Sequence, residues 1–286
     1  WNRVADGGGV DLLTGTPPGG LRQQAEAMEV VLADGRTLEA RLLIGADGAD
    51  SWVRSQLGVE TTGRAYGQLA IVGHVASERP HGRTAWQCFL PTGPVALLPL
   101  ADGRSSFVWS TTEDEARALL ALPDDEFAAR ITLATGRVLG ALAMTTPRQA
   151  FPLAVRHTHR YTGARFALVG DAAHQIHPLA GQGINLGLQD VAALAATVTG
   201  HLLGPRLADP GDAVVLRRYE RGRKGSNLMT MAAMEGLHRV FTSDSSALAR
   251  LAAAGFGAVD RLPLVKRVLV ERATGVAASR RQRAGL

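Results

Sequence analysis

The sequence predicts an α/β fold in which a parallel-strand region is interrupted by an inserted, mostly antiparallel sheet and followed by C-terminal helices. Three observations carry this. Two apolar runs, one ending at Ile44-Gly45-Ala46-Asp47 and the other running Phe166 to Val169 and stopping at Gly170-Asp171, have the length and composition of buried parallel strands. The stretch between them, from about Gly63 to Phe151, changes to short β-type runs punctuated by turns. After Gly200 the spacing of apolar residues is helical.

The elements follow in order. Val30-Val31-Leu32 reads as a strand, Ala33-Asp34-Gly35-Arg36 as a turn, and Leu38 with Leu42-Leu43-Ile44 as returning strands. A tight Asp47-Gly48 turn leads into a short helix with Asp50 or Ser51 as its N-cap. Strands are expected over Leu69–Val75, Ala85–Leu90, Val95–Leu100 and Ser106–Ser110, separated by turns at Arg79-Pro80-His81-Gly82, Pro91-Thr92-Gly93-Pro94 and Ala101-Asp102-Gly103-Arg104. One helix, from Asp124 to about Leu133, interrupts that sheet, and Pro147–Val155 returns as a strand. Beyond Asp171 a loop broken by Pro178, Gly181 and Gly183 opens a helical pattern marked by Ile184, Leu188, Val191, Leu194, Ala195 and Val198. Such a helix N-terminus, one loop after the carboxyl end of a strand, presents bare N–H groups and a positive dipole end to an electron-rich ligand.

Composition is that of an ordinary globular protein: 286 residues, 46% hydrophobic and 20% charged, enough for one large or two modest domains. The single cysteine, Cys88, excludes an internal disulfide framework and a cysteine-rich metal site, and points to a reducing, cytoplasmic compartment. No apolar stretch reaches the length of a membrane span. The net charge of +5 is C-terminal in origin: seven basic residues and one acid lie between Arg261 and Leu286. With Leu262, Leu264, Val265, Val268, Leu269 and Val270 interleaved, that tail suits an anionic membrane surface as well as a plain solvated helix face. Nucleic acid is not expected, because no stacking aromatics accompany the basic residues. His174 and His177 lack a third ligand at metal-binding spacing, so no metal is expected.

Asp47-Gly48-x-x-Ser51-x-x-Arg54, followed about 120 residues later by Gly170-Asp171-Ala172-Ala173-His174, resembles the paired motifs of the single-component flavin-dependent aromatic hydroxylases. His177-Pro178-Leu179-Ala180-Gly181-Gln182-Gly183-x-Asn185-x-Gly187-x-x-Asp190 is similar to the form found in the ubiquinone-biosynthesis hydroxylases. Tyr66-Gly67-Gln68, Gly93 to Leu100 and Arg218-Tyr219-Glu220-x-x-Arg223-Lys224 also resemble that subfamily. The likeness implies an FAD-binding fold of the para-hydroxybenzoate-hydroxylase type, with residues 1–62 a partial FAD-binding domain, 63–155 an inserted substrate-binding sheet, 156–203 the rest of the FAD-binding domain and 204–286 a helical C-terminal region. The Gly-x-Gly-x-x-Gly turn that opens such folds is absent, since Gly7-Gly8-Gly9 lacks the third glycine and Leu186 stands where Gly181-x-Gly183 would need one. An N-terminally incomplete domain is therefore expected.

The resemblance further implies a flavin reduced by NAD(P)H that uses O2 to hydroxylate the ring of a polyprenylated ubiquinone precursor. In that reading Asp171 accepts a hydrogen bond from a ribitol hydroxyl, with Gly170 beside it as a further cofactor-binding position; Gly181 and Gly183 let the backbone approach the isoalloxazine, and N–H groups near Gln182 to Asn185 stabilise negative charge on its reduced pyrimidine end. Asp47 and Gly48 form the turn beneath the pyrophosphate, with Arg54 organising it or the nicotinamide path. His177 and Pro178 are the substrate-facing candidates, with a structural hydrogen bond the alternative for His177, and Asn185 and Asp190 are expected to hold the loop and helix rather than touch substrate. Gln68, His81, Gln87, Phe89 and Leu98 are possible substrate contacts whose sheet face period-two alternation does not fix. Leu228, Met231, Met234, Leu237 and Phe241 suit a prenyl tunnel or plain core. Two other functions fit the same motifs: a hydroxylase of small soluble phenols, and a non-catalytic lipid-binding or scaffold subunit of a ubiquinone-synthesis complex. A prenylated substrate would place the enzyme at the periphery of the inner membrane.

Overall fold

A computed structural model describes residues 9–177, 182–204 and 208–241, together with 262, 263 and 267. Thirteen strands and five helices are assigned among them. In chain order these are β1 (Pro18–Gln23), β2 (Met28–Leu32), β3 (Thr37–Ala40), β4 (Leu43–Gly45), α1 (Trp52–Gln56), β5 (Thr61–Ser77), β6 (Trp86–Leu90), β7 (Gly93–Pro99), β8 (Ser105–Thr112), α2 (Glu113–Ala121) and α3 (Asp124–Ala134). There follow β9 (Leu142–Met144), β10 (Gln149–Thr158), β11 (Thr162–Gly163), β12 (Phe166–Leu168), a 3-10 turn (Gly170–Ala172), β13 (His174–Gln175), α4 (Gln182–Leu202) and α5 (Ala213–Phe241). The chain divides into two compact units. One holds the described residues up to Thr62 with 157–175 and 186–227, and the other 63–156, 176–185 and the described residues from Leu228 onward.

In the first unit the two apolar runs singled out in the sequence are neighbours. β4 and β12 pair in parallel, with Leu43 opposite Phe166, Ile44 opposite Ala167 and Gly45 opposite Leu168, and β11 adds to β12 antiparallel. Their contact is close: a Cβ on Gly45 would lie 2.7 Å from Leu168 Cδ2 and 3.0 Å from Val53 Cγ1, so only glycine lets α1 and β12 meet the strand at that point. Val53, Tyr161, Phe166, Leu168, Leu194, Leu216 and Tyr219 form the core behind them. A separate three-stranded antiparallel sheet, β1–β2–β3, precedes it. The expected Ala33–Arg36 turn joins β2 to β3, with Gly35 at φ +87° and the Asp34 carboxylate accepting the Arg36 N–H at 3.0 Å. β1 carries no sequence signal of its own, since Pro18-Gly19-Gly20 reads as a turn; it forms because β2 offers a ladder, pairing Leu21 with Val30.

In the second unit the strands run β10–β5–β8–β7–β6, with β9 beside β5. The β5–β8, β8–β7 and β7–β6 pairings are antiparallel. Two helices cover one face, not the single one expected. Thr112 caps α2, accepting the Glu115 N–H, and the acids Glu113, Asp114 and Glu115 fill the first turn, where the helix dipole favours them. Pro123 then starts α3 without a side-chain cap. α2 leaves little trace in the sequence because it is short and its apolar stripe is narrow; Ala116 and Leu119 are its buried residues. Ile71, Val75, Val95, Leu97, Phe107 and Trp109 from the strands meet Leu119, Phe127 and Ile131 from the helices.

α4 forms where the helical pattern predicts it, but its first half is rotated from the face the pattern marks. Ile184 (73% exposed), Leu188 (61%) and Val191 (50%) point outward among the described residues, while Leu186, Asp190 and Leu194 are buried. Of the expected stripe Leu194 and Val198 do pack into the core, so hydrophobic spacing finds the inner side only in the second half of the helix; toward its start the buried Asp190 marks that side.

Candidate functional site

In the first unit the two motif turns leave the same edge of one strand pair. β4 ends at Gly45 and β12 at Leu168, opposite each other in the parallel ladder, so Asp47-Gly48 and Gly170-Asp171 emerge side by side at the carboxyl edge. Ligands of α/β sheets bind at such edges. Gly48 (φ +83°) and Gly170 (φ +58°) both take backbone conformations that side chains disfavour, and a Cβ on Gly48 would meet nothing within 4 Å, so that turn is open.

Asp47 holds the start of α1. Its Oδ1 accepts the Ser51 hydroxyl at 2.6 Å and its Oδ2 accepts the Val53 N–H at 3.0 Å, while Ser51 Oγ accepts the Arg54 N–H at 3.0 Å as the N-cap. Arg54 then ties the two turns together. Its guanidinium donates to Ala49 O at 2.7 Å and to Ala172 O at 3.0 Å, across 118 residues of sequence. Asp171, between them, is exposed; partial desolvation by the surrounding chain nonetheless pushes its pKa up, against a lowering influence from His174. An open carboxylate flanked by glycine-turned backbone matches what a polyhydroxylated cofactor requires: an acceptor for a hydroxyl and room for a close approach.

Behind the Gly170 turn lies a buried polar cluster that motif reading did not assemble. Asp190, fully buried on α4, accepts the Gly170 N–H at 3.2 Å, the Arg223 Nε–H at 2.7 Å and the Asn227 amide at 3.1 Å, and pairs with His174 Nε2 at 2.5 Å. Burial raises its pKa, but the hydrogen bond and charge of His174 and the bonds from Arg223 and Asn227 outweigh this and hold it below the usual carboxylate value. Tyr161 and His157 extend the cluster: Asn227 Nδ2 donates to Tyr161 Oη at 3.4 Å, and His157 Nε2 lies 3.1 Å from the same hydroxyl. The signal available in the sequence was the spacing of Asp190 after Gly170-Asp171 and the charged run Arg218 to Lys224.

The second unit holds His177. It is 1% exposed, with Nε2 3.2 Å from Gln68 Oε1, and its ring meets Tyr66 edge-on at 4.9 Å. Gln68 donates its amide to Thr92 O at 2.9 Å, which turns its carbonyl toward the histidine and makes Nε2 the protonated nitrogen. Glu235 on α5 accepts from the Tyr66 hydroxyl (2.7 Å), Arg64 (2.5 Å) and Arg239 (2.8 Å). Desolvation opposes its ionisation, yet the Tyr66, Arg239 and Arg64 hydrogen bonds bring its pKa down to about 2. The ladders settle the face left open by the sequence. Gln68 shares its side of the sheet with Val72, opposite Val108; Val108 lies opposite Ala96, and Ala96 opposite Gln87. Phe89 and Leu98 share that side, facing away from α2 and α3, and both are exposed. His81 lies apart, in the turn before β6, where its Nδ1 accepts the Arg83 N–H.

Gln182, Gly183 and Asn185 lie in the first turn of α4, and a Cβ on Gly183 would meet nothing within 4 Å. Pro178 and Gly181 lie outside the described residues. Among the stripe on α5, Met231 is buried and Leu228 exposed. No group of three His, Cys, Asp or Glu side chains suited to a metal ion occurs among the described residues.

The chain is 42% identical over 256 residues to a protein of Rhodospirillum rubrum named ubiquinone hydroxylase UbiL, a match covering 89% of this chain and 59% of that protein. It is 34% identical over 277 residues to the human mitochondrial ubiquinone biosynthesis monooxygenase COQ6, covering 85% of this chain and 59% of COQ6. It therefore spans somewhat over half the length of these curated relatives. Among solved structures it is similar to PqsL of Pseudomonas aeruginosa, described as a probable FAD-dependent monooxygenase, with a TM-score of 0.74, 25% identity, and coverage of 88% of this chain and 70% of that one. A Klebsiella pneumoniae protein, HpxO, complexed with FAD and uric acid, shares the fold at a TM-score of 0.70 and 21% identity. The model of the FAD binding domain matches residues 4–225, and the chain belongs to that FAD-binding family.

Proposed function

We propose that the chain is part of a flavin-dependent monooxygenase that hydroxylates the aromatic ring of a polyprenylated ubiquinone precursor, using NAD(P)H and O2. The observation that carries this is the pairing of the Asp47-Gly48 and Gly170-Asp171 turns at one strand edge, bridged by Arg54. FAD fits the residues there, because the edge offers an exposed carboxylate acceptor and two positive-φ glycines whose backbone a ligand can approach. Bound FAD supplies the redox chemistry and the activation of oxygen. Asp171 holds a cofactor hydroxyl, Asp47 and Gly48 shape the turn under the phosphates, and Arg54 keeps both turns in register. By resemblance, Gly181, Gln182, Gly183 and Asn185 add backbone donors, while Gly170, whose N–H is taken by Asp190, shapes the turn. His177, kept as an Nε2–H tautomer by Gln68, is the substrate-side candidate together with Pro178. The side of the β5–β8–β7–β6 sheet that faces away from α2 and α3 carries Val72, Val108 and Ala96 with the exposed Phe89 and Leu98, apolar side chains of the kind a prenylated ring requires.

The full-length protein tests this directly. Purified, it should be yellow, with flavin absorbance, and it should oxidise NAD(P)H faster when a prenylated phenol is added. Turnover indifferent to prenyl length would favour small soluble phenols as substrates. Absence of flavin and of NAD(P)H oxidation would favour a scaffold or lipid-binding subunit of a ubiquinone-synthesis complex.

A further inference from the structure

We propose that Asp190 is a positioning residue of the flavin site, setting the direction of Asp171 by accepting the N–H of Gly170. This rests on the reading of Asp171 as a cofactor-holding residue and adds to it a buried carboxylate that never touches the cofactor.

Among the described residues the hydrogen-bond partners of Asp190 are all donors: the Gly170 N–H, the Arg223 guanidinium, the Asn227 amide and the His174 imidazole. A carboxylate, with acceptors only, answers all four; an amide of the same shape would turn an N–H₂ group onto at least one donor. Arg223 is itself fixed on both helices. It donates to Gln189 Oε1 at 3.2 Å and Leu186 O at 3.5 Å on α4, and to Asn227 Oδ1 at 2.8 Å on α5. Asp190 therefore has a fixed place relative to the turn.

The turn has little freedom on the other side. A Cβ on Gly187, one turn before Asp190 on α4, would stand 3.3 Å from the Gly170 Cα, so helix and turn touch backbone to backbone. Gly170 at φ +58° is followed directly by Asp171 in the 3-10 turn. A turn pressed against Gly187, held at the Gly170 N–H by Asp190 and at Ala172 O by Arg54, has a single seating, and the seating aims the Asp171 side chain between them. The Asp190 cluster thus serves the cofactor site through one amide rather than only filling the core.

The test is the FAD dissociation constant of the full-length apoprotein reconstituted with FAD, measured well below each variant's melting temperature. Asp171→Asn should weaken FAD by about tenfold or more, the loss of one charge-assisted hydrogen bond, and Asp190→Asn by about five- to tenfold. Because Asp190 acts through Asp171, the double variant should bind no more weakly than Asp171→Asn alone. Gly187→Ala, which displaces the turn while leaving every charge in place, should weaken FAD several-fold and should likewise add nothing in the Asp171→Asn background; it carries the test should Asp190→Asn not fold. Tyr219→Phe removes a buried hydrogen bond to Leu168 O in the same core without touching the turn, and should lower the melting temperature with FAD affinity intact. Additive effects of the two aspartates, an Asp190→Asn affinity within twofold of wild type, or equal weakening by Tyr219→Phe would overturn the positioning role. An Asp171→Asn variant with unchanged FAD affinity would overturn the reading of the site itself, and this inference with it.

Discussion

At the scale of single residues, the chemistry of the first unit depends on which protons its buried groups carry. His157 is driven down to a pKa of about 4, chiefly by burial and then by the nearby positive charges of Lys224 and His174. Its folded value lies below its unfolded value of about 6.5. Between these two values the unfolded chain binds a proton that the folded one refuses. The contribution is therefore complete above pH 6.5 and is lost as pH falls through about 4. Thermal melts across pH 7 to 4 should show a falling melting temperature, and His157→Gln should flatten that slope; an identical slope in the variant would show that the acid sensitivity comes from elsewhere. Asp47 and Arg54 were both legible as motif residues, but their parts are more specific than the motif indicates. Asp47 spends its carboxylate on the start of α1, and Arg54 spends its guanidinium on two carbonyls. Hydrogen-bond partners more than 100 residues away leave no local trace in a sequence.

At the scale of elements, the site depends on how closely three segments meet. β4, β12 and α1 converge on Gly45, and the space for a side chain there is already taken by Leu168 and Val53. Gly45→Ala should cost about 1–3 kcal/mol through overpacking, read as a melting temperature lower by several degrees. A variant as stable as wild type would mean that Leu168 moves aside freely. That glycine is the last residue of a strand whose neighbour lies more than 120 residues further on. Sequence reading located most strands of the large sheet because each is bounded by Gly, Pro or Asp turns. It missed α2, whose stripe is narrow, and β1, whose residues favour a turn until a partner strand supplies the ladder. It found α4 but not the inner face of its first half, since Asp190 becomes a core residue only when Arg223, Asn227 and His174 arrive from other elements.

At the scale of the whole molecule, no helix among the described residues is long and apolar enough to cross a membrane. The excess positive charge lies in the stretch from Arg261 to Arg283, nearly all of it outside the described residues. We propose that this stretch draws the protein to an anionic surface, where a prenylated substrate would reside. Replacing Lys266, Arg267 and Arg272 by Gln should weaken binding to phosphatidylglycerol-containing liposomes in a cosedimentation assay, with the difference vanishing in high salt; equal binding by the variant would discard the idea. The sequence by itself determined the family, the α/β class, the two motif aspartates and the parallel-strand ends that carry them, because each is written in local residue types at fixed spacing. Only the tertiary structure decided that the two turns share one edge, which face of the large sheet holds Gln68, Phe89 and Leu98, and that Asp190 lies beneath Gly170. Those facts depend on register and on helix rotation, which are set when distant segments bury their surfaces together and satisfy one another's polar groups.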